Sequence, residues 1–332
     1  MADPEFEVRP SVQIGDTADV RLHRGLTVLR SEGVNPVVTV EFSAEGRGIF
    51  CGIREVKALL QRVLPEASRD AWALEEGDTV SAGEVALRVT APYGTLALYE
   101  TAICGTLSHC TGWATASHEC VTAAGGIPVI STGARYVHPG VAGVMDYAAT
   151  VGGCVSCSTP IGSKLAGTTP ASSISPDVVL IFGDSLRAMQ AFDRHLPQEV
   201  SRVAPVNVMK DEAEEAIALA RSLRLRLRGV VLDAMRTHDE VSPHMVKEVR
   251  ARLDQAGFSH VEIFVSGELG SSQLRAFVES GAPVTAFEVG GYISCAPPIG
   301  FRADIHEVDG RPMARRGQIP GVTENSRLVE LI

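Results

Sequence analysis

A set of polar residues recurs in this chain just past short runs of β-branched and aliphatic side chains. Gly133, Arg135 and His138 follow the run Ile127–Ser131; Gly162, Ser163 and Lys164 follow Val151–Ser156; Gly183 and Asp184 follow Val178–Phe182. Asn207 and Lys210 lie at the end of Val203–Val208, and Asp233 ends Val230–Asp233 with Arg236 beyond it. Ser266 and Gly267 follow Val261–Val265, and Gly290 and Gly291 follow Val284–Val289. Singly, each has an ordinary explanation: Gly after a strand is a turn residue, Asp at a strand end is an N-cap, and a lone Lys or Arg is a solvated side chain. As a group they describe a chemistry. Small residues let backbone N–H groups approach a phosphate, Arg and Lys neutralise it, and an Asp holds sugar hydroxyls or a hard cation. Gathered on one edge, these residues suit a phosphorylated sugar bound with Mg²⁺.

Such gathering requires elements that end together. The apolar runs recur at roughly 25–30-residue intervals with helical patterns between them, among them Asp211–Leu223, Pro243–Ala256 and Ser271–Glu279, a rhythm of βα units. About seven units predict an incomplete α/β barrel over residues 126–294, with reactive groups at the carboxyl ends of its strands. Upstream, Val37–Phe42, Glu76–Val80 and Val85–Val89 read as strands. Between the first two, apolar residues at 53, 56, 59, 60, 63 and 64 have helical spacing. Residues 10–125 therefore form a smaller α+β domain, leaving through a helix over Tyr99–Ala124. The polar β-rich tail from Asp304 to Gly310 is expected to rejoin it, so that 295–332 completes this domain.

Composition narrows the partners. The 332 residues are 45% hydrophobic and 21% charged, an ordinary globular balance, and the net charge of −10 supplies no basic field for nucleic acid or membrane surfaces. No run approaches the roughly 18 apolar residues of a membrane span, and no basic-then-apolar leader opens the chain. The 7 cysteines are odd in number and irregular in spacing, which fits reduced thiols in the cytoplasm. Cys154 and Cys157 form a C-x-x-C that suits redox chemistry or zinc, with His109, Cys110, His118 and Cys120 as further ligands; buried thiols on a strand are the simpler reading.

Several segments resemble the nicotinate phosphoribosyltransferases, a family of type II phosphoribosyltransferases. Gly133-Ala134-Arg135-Tyr136-Val137-His138-Pro139 is similar to the family's G-T-R-R-A-H-P. Asn207 to Glu212 sits where the family has D-T-x-x-D-E, and Val230-Val231-Leu232-Asp233 resembles V-R-L-D. Val265-Ser266-Gly267 and Phe287-Glu288-Val289-Gly290-Gly291 resemble its two 5′-phosphate elements. The resemblance implies transfer of a phosphoribosyl group from phosphoribosyl pyrophosphate, bound with Mg²⁺, to a pyridine nitrogen. It also implies a homodimer or larger assembly. Carried over, Arg135 and His138 contact the base carboxylate or the pyrophosphate. Asp233, with Asn207, holds the ribose hydroxyls and the metal, while Ser266, Gly267, Gly290 and Gly291 bind the 5′-phosphate. Lys164 and Lys210 add cations.

The departures alter the expected reaction. Tyr136 stands where the family has a second Arg, and Arg21 replaces a Tyr that stacks on the base from a neighbouring subunit, so both fall in the base pocket. Asn207 replaces an Asp, Val231 an Arg, and Glu288 a small residue of a phosphate loop. The segment whose His is phosphorylated by ATP corresponds here to Ser172-Ser173-Ile174-Ser175-Pro176, or with a gap to Gly167-Thr168-Thr169-Pro170-Ala171, and neither holds a His. The expected function is phosphoribosyl transfer to an aromatic or heteroaromatic acceptor other than nicotinate, without ATP. The alternatives are a true nicotinate enzyme of NAD synthesis and an inactive homologue that binds a nucleotide or phosphosugar.

Overall fold

The computed structural model describes residues 6–233 and 241–332, so Arg236 lies outside the described residues. Two compact units divide the chain: everything up to Thr115 together with Ala296–Ile332, and Ala116–Cys295; the boundary falls within the helix Glu100–Ala123. Among the described residues no helix is long and apolar enough to cross a membrane.

The first unit is an antiparallel sheet with strands in the order Arg311–Pro312, Phe301–Val308, Val37–Ala44, Val85–Pro92, Asp70–Ala73 and Val329–Glu330. Val38, Val40, Phe42 and Ala44 alternate onto one face and join the core with Ile53, Val56, Leu59 and Leu60 of the helix Ile53–Val63. Each such side chain contributes about 1.5–3 kcal/mol on burial. The tail belongs to this unit: Phe301–Val308 pairs with Val37–Ala44 from Ala44↔Phe301 to Val38↔Val308. Buried Glu41 accepts hydrogen bonds from Arg88 Nε at 2.9 Å and from the Thr323 backbone at 3.0 Å, which ties the tail to this sheet at Thr323.

The second unit holds six parallel strands: β1 (Val129–Ser131), β2 (Ser156–Cys157), β3 (Arg202–Val206), β4 (Leu227–Asp233), β5 (Glu262–Ser266) and β6 (Ala286–Val289). Their order is β2-β1-β6-β5-β4-β3, so the last strand pairs with the first, and β2 and β3 form the edges. The helices between them are α1 (Ala142–Val151), α2 (Pro160–Ala166), α3 (Pro176–Phe182), α4 (Ser185–His195), α5 (Glu212–Leu223), α6 (Pro243–Gln255) and α7 (Ser271–Ser280). Ile130, Val203, Val231, Phe264 and Ala286 cluster as one apolar layer. They share strand parity, and hence one face of the sheet.

Two of the runs expected to be strands are not. Val178–Phe182 is the helix α3, because signals at both ends select that form. Ser175 accepts from the Asp177 backbone, Pro176 occupies the first turn, and Gly183 ends the helix at φ 68°. A short β-branched run bounded by such caps cannot be told from a strand by periodicity. The expected Val151–Ser156 strand begins only at Ser156, since α1 continues to Val151 and turns at Gly153, φ 111°. The described strands of this unit therefore number six rather than about seven.

The edge strand β3 is anchored by a buried ion pair. Arg202 Nε lies 3.1 Å from Asp193 Oδ1, and its guanidinium also donates to the carbonyls of Pro197 at 2.6 Å and Leu196 at 2.9 Å. Asp193→Ala leaves the Arg202 charge buried without its carboxylate. The variant is expected to lose about 3 kcal/mol or more of stability, read from the denaturant midpoint. A loss below about 0.5 kcal/mol would mean that the pair does not anchor β3.

Candidate functional site

The register of the parallel sheet places its chemistry. On β4 and β5 Asp233 pairs with Ser266, and the pairs Phe264↔Ala286 and Val265↔Phe287 put Glu288 of β6 opposite Ser266. With a period of two, all three side chains emerge on the face of the apolar layer, one step beyond it towards the carboxyl edge. Asn207 follows the Val206↔Leu232 pair and extends the row, its Nδ2 donating to the Asp233 carbonyl at 2.8 Å. Asn207 holds φ 68°, a left-handed conformation that Asn tolerates better than most residues. The turn after it is fixed from α5: buried Glu215 accepts from the Val208 backbone at 3.1 Å and from the Ser185 hydroxyl, and Asp211 caps the helix by accepting from the Glu214 backbone at 3.0 Å.

The turn after β1 reaches over this row. Thr132 donates through its backbone to the Val289 carbonyl at 2.9 Å. A Cβ on Gly133 would stand 2.7 Å from Ser294 Cβ and 3.0 Å from the Gly290 carbonyl, so only glycine fits there. Tyr136 lies over the other glycine turn, its ring 3.2 Å from where a Cβ on Gly290 would be. Arg135 acts on Asp233 from three strands away: burial pushes the Asp233 carboxyl up, and the Arg135 guanidinium opposes that shift. Asp233 is half-buried and reachable from solvent. Glu288 is only 8% exposed; burial pushes its carboxyl up to about 7, with its hydrogen bond to Ser266 opposing and the Asp233 charge reinforcing the rise.

Other expected residues are not part of this row. His138 is exposed and caps the turn Pro139–Val141, its Nδ1 accepting from the Gly140 backbone at 3.1 Å, so Nε2 carries the proton when the ring is neutral. Lys210 is exposed in the turn between β3 and α5. Lys164 is not at a strand end: because β2 stops at Cys157 and Thr159 caps α2, Gly162 and Ser163 fall inside that helix and Lys164 is exposed in its last turn. There its charge complements the helix C-terminus. Gly183 and Asp184 are the C-cap of α3 and the N-cap of α4. Arg21 belongs to the first unit, where it pairs with Asp19 at 3.4 Å and Glu100 at 3.7 Å. With Tyr93, Glu100, Asp304 and Arg315 it lines a cavity of about 450 Å³.

Sequence reasoning missed two groups. Asp146, fully buried on α1, accepts from Ser131 Oγ at 2.8 Å and Thr159 Oγ1 at 2.6 Å, and so clamps the ends of β1 and β2 from behind. A single acid within an apolar helix was its only signal. Tyr292 donates to Glu119 Oε2 at 2.7 Å and meets Ser271 at 3.2 Å, joining the turn after β6 to the start of α7. The thiols of Cys154 and Cys157 lie against serine hydroxyls, Ser117 at 3.1 Å and Ser163 at 3.3 Å.

The second unit is thus a parallel α/β domain whose glycine turns, carboxyls and an arginine meet at the carboxyl edge of one sheet. Residues 25–111 match the N-terminal domain, and residues 113–304 the C-terminal domain, of the quinolinate phosphoribosyl transferases. The chain belongs to that family. A crystal structure of nicotinate-nucleotide pyrophosphorylase from Pyrococcus furiosus superposes with a TM-score of 0.86 at 31% identity, covering 97% of this chain and 82% of that one. Human nicotinic acid phosphoribosyltransferase shares the fold, with a TM-score of 0.70 at 16% identity over 92% of this chain and 77% of that one. A nicotinate phosphoribosyltransferase of Mycobacterium tuberculosis is 28% identical over 272 residues, 79% of this chain and 57% of its own. The chain thus spans little more than half the length of that relative.

Because the folded Glu288 carboxyl titrates above its ordinary value of 4.5, its proton favours the folded state. That contribution is complete below about pH 4.5 and disappears as pH rises through about 7, a change of up to ~3 kcal/mol. Glu288→Gln is expected to flatten the fall in stability between about pH 5 and pH 8, followed by denaturation at a series of pH values. An unchanged slope would contradict the burial of this carboxyl.

Proposed function

We propose that the protein is a phosphoribosyltransferase that moves the phosphoribosyl group of phosphoribosyl pyrophosphate to an aromatic or heteroaromatic acceptor, without ATP. The observation that supports this most is the row of Asp233, Ser266 and Asn207 at the carboxyl ends of adjacent strands, with the Arg135 charge acting on Asp233 from the turn after β1. The reaction develops positive charge on the sugar and releases a polyanion, so positioning and fixed charges supply the catalysis. Asp233 and Asn207 hold the ribose hydroxyls. The backbone N–H groups of Gly267, Gly290 and Gly291, with Ser266, hold the 5′-phosphate. Arg135 faces the leaving pyrophosphate or an acceptor carboxylate, and His138 offers its Nε2 proton to the same groups. The cyclic strand order, last against first with a gap between β2 and β3, supports an incomplete barrel that encloses this row.

The Asp233 carboxylate and the Asn207 amide oxygen would offer Mg²⁺ the hard oxygen donors it prefers. Mg²⁺ keeps several waters in its shell and is held through one or two carboxylates together with substrate phosphates. Bound there, Mg²⁺ supplies charge neutralisation for the pyrophosphate. The segment Ser172–Pro176 ends in the cap and first turn of α3, and this supports a reaction uncoupled from ATP. Tyr136, exposed over the glycine turn, and Arg21, contributed by a second copy in a homodimer or larger assembly, adapt the base pocket to an acceptor other than nicotinate. Similarity to the Mycobacterium tuberculosis nicotinate phosphoribosyltransferase favours a second reading, nicotinate phosphoribosyl transfer for NAD synthesis.

Pyrophosphate release from phosphoribosyl pyrophosphate, Mg²⁺ and a panel of aromatic acids is expected for the wild type. Asp233→Asn should lower it by about a hundredfold or more. No ADP should appear when ATP is added. ATP hydrolysis stoichiometric with turnover, or efficient formation of nicotinate ribonucleotide, would overturn the reading of an ATP-free, altered acceptor site.

A further inference from the structure

The reaction as proposed leaves Glu288 without a role, yet its position is specific. It precedes Gly290 by two residues and stands opposite Ser266, which precedes Gly267 by one. Its carboxyl therefore lies beneath both glycine turns proposed to hold the 5′-phosphate, on the same face as Asp233. It is 8% exposed and lies against Ser266. An ionised carboxylate in that place repels a phosphate dianion, while a carboxylic acid donates a hydrogen bond to it.

The surroundings favour the acid. From β4, Asp233 acts on it through charge, across the intervening strand and about 10 Å between backbones at ordinary strand spacing. From β5 comes only the uncharged Ser266. The turn after β1 brings Arg135, which acts on Asp233, and Tyr136; the turn after β6 brings Tyr292, engaged with Glu119 and Ser271. Burial is the main reason that this carboxyl keeps its proton to higher pH than a free one, and the more distant Asp233 charge adds to it.

We propose that Glu288 contacts the phosphate-bearing ligand as the neutral acid, donating a hydrogen bond to a phosphate or ribose oxygen, and so makes phosphosugar binding a proton-coupled step. The proton comes from solvent and stays on the Glu288 carboxyl; no covalent bond changes. This rests on the phosphoribosyl reading of the site and deepens it: the ligand class selected is a phosphomonoester of a sugar, held more tightly below neutral pH.

Calorimetric titration of the full chain with ribose 5-phosphate, at pH 6 and pH 8 and with and without Mg²⁺, tests this. With a carboxyl titrating at about 7, wild-type affinity should fall about tenfold more over that interval than Glu288→Gln affinity, because the amide keeps a donor and cannot ionise. The variant comparison removes the ligand's own titration. Wild-type binding at pH 8 in buffers of different ionisation enthalpy should also show net proton uptake, a readout that needs no variant. Equal pH dependence in wild type and Glu288→Gln, or no proton uptake, would overturn this inference and leave the phosphosugar site standing. Affinity that rises with pH only when Mg²⁺ is present, and only in wild type, would overturn it in favour of a carboxylate that holds the cation. Absence of binding at either pH in either protein would overturn the phosphoribosyl reading and this inference with it.

Discussion

Parallel strand register is the constraint on which the site depends. Phe264, Val231 and Ala286 form an apolar level across three adjacent strands, and the next inward-facing level is Ser266, Asp233 and Glu288. One step of two residues separates a dry interior from a polar rim. A one-residue slip of any of these strands would turn its rim group to the opposite face and break both levels. Register is therefore enforced by the core beneath, and the rim inherits its geometry from hydrophobic packing rather than from contacts of its own.

Around that row the polar side chains serve mainly to hold backbone turns. Glu215 and Asp211 fix the turn after β3, Asp146 holds the ends of β1 and β2, and Tyr292 joins the turn after β6 to α7. Thr132 and Gly133 lock the first turn against the last. Most of these supports are hydrogen bonds between a rigid element and a turn or strand end, the arrangement that keeps small residues at a working edge from drifting. Burial raises the carboxyls of Asp146, Asp233 and Glu288 alike. The rim therefore stores unfavourable ionisation that a cationic or hydrogen-bonding ligand relieves.

Much of this was legible beforehand, for identifiable reasons. The helix over Ile53–Val63 announced itself by apolar spacing and that over Pro243–Gln255 by a helical pattern between apolar runs, while the strands ending at Asp233 and Ser266 were marked by β-branched runs between turn residues. Val178–Phe182 misled because its composition is that of a strand while its ends, Ser175-Pro176 and Gly183, are those of a helix. Lys164 was placed wrongly for the same kind of reason, a strand boundary shifted by the continuation of α1. Glu288 was visible only as a break in a pattern. That it shares a face with Asp233 requires the register between strands, which no local signal contains. Asp146 and Glu215 act on partners 7 to 30 residues away, beyond the reach of a local pattern, and left almost no trace in the chain.

A crystal structure of the protein with Mg²⁺ and phosphoribosyl pyrophosphate tests the central claim most directly. The account predicts the sugar over Asp233 and Asn207, with its 5′-phosphate against Gly267, Gly290 and Gly291 and the Glu288 carboxyl within hydrogen-bond distance of the ligand. A ligand bound away from the carboxyl edge of β4, β5 and β6, with that row still facing solvent, would contradict it.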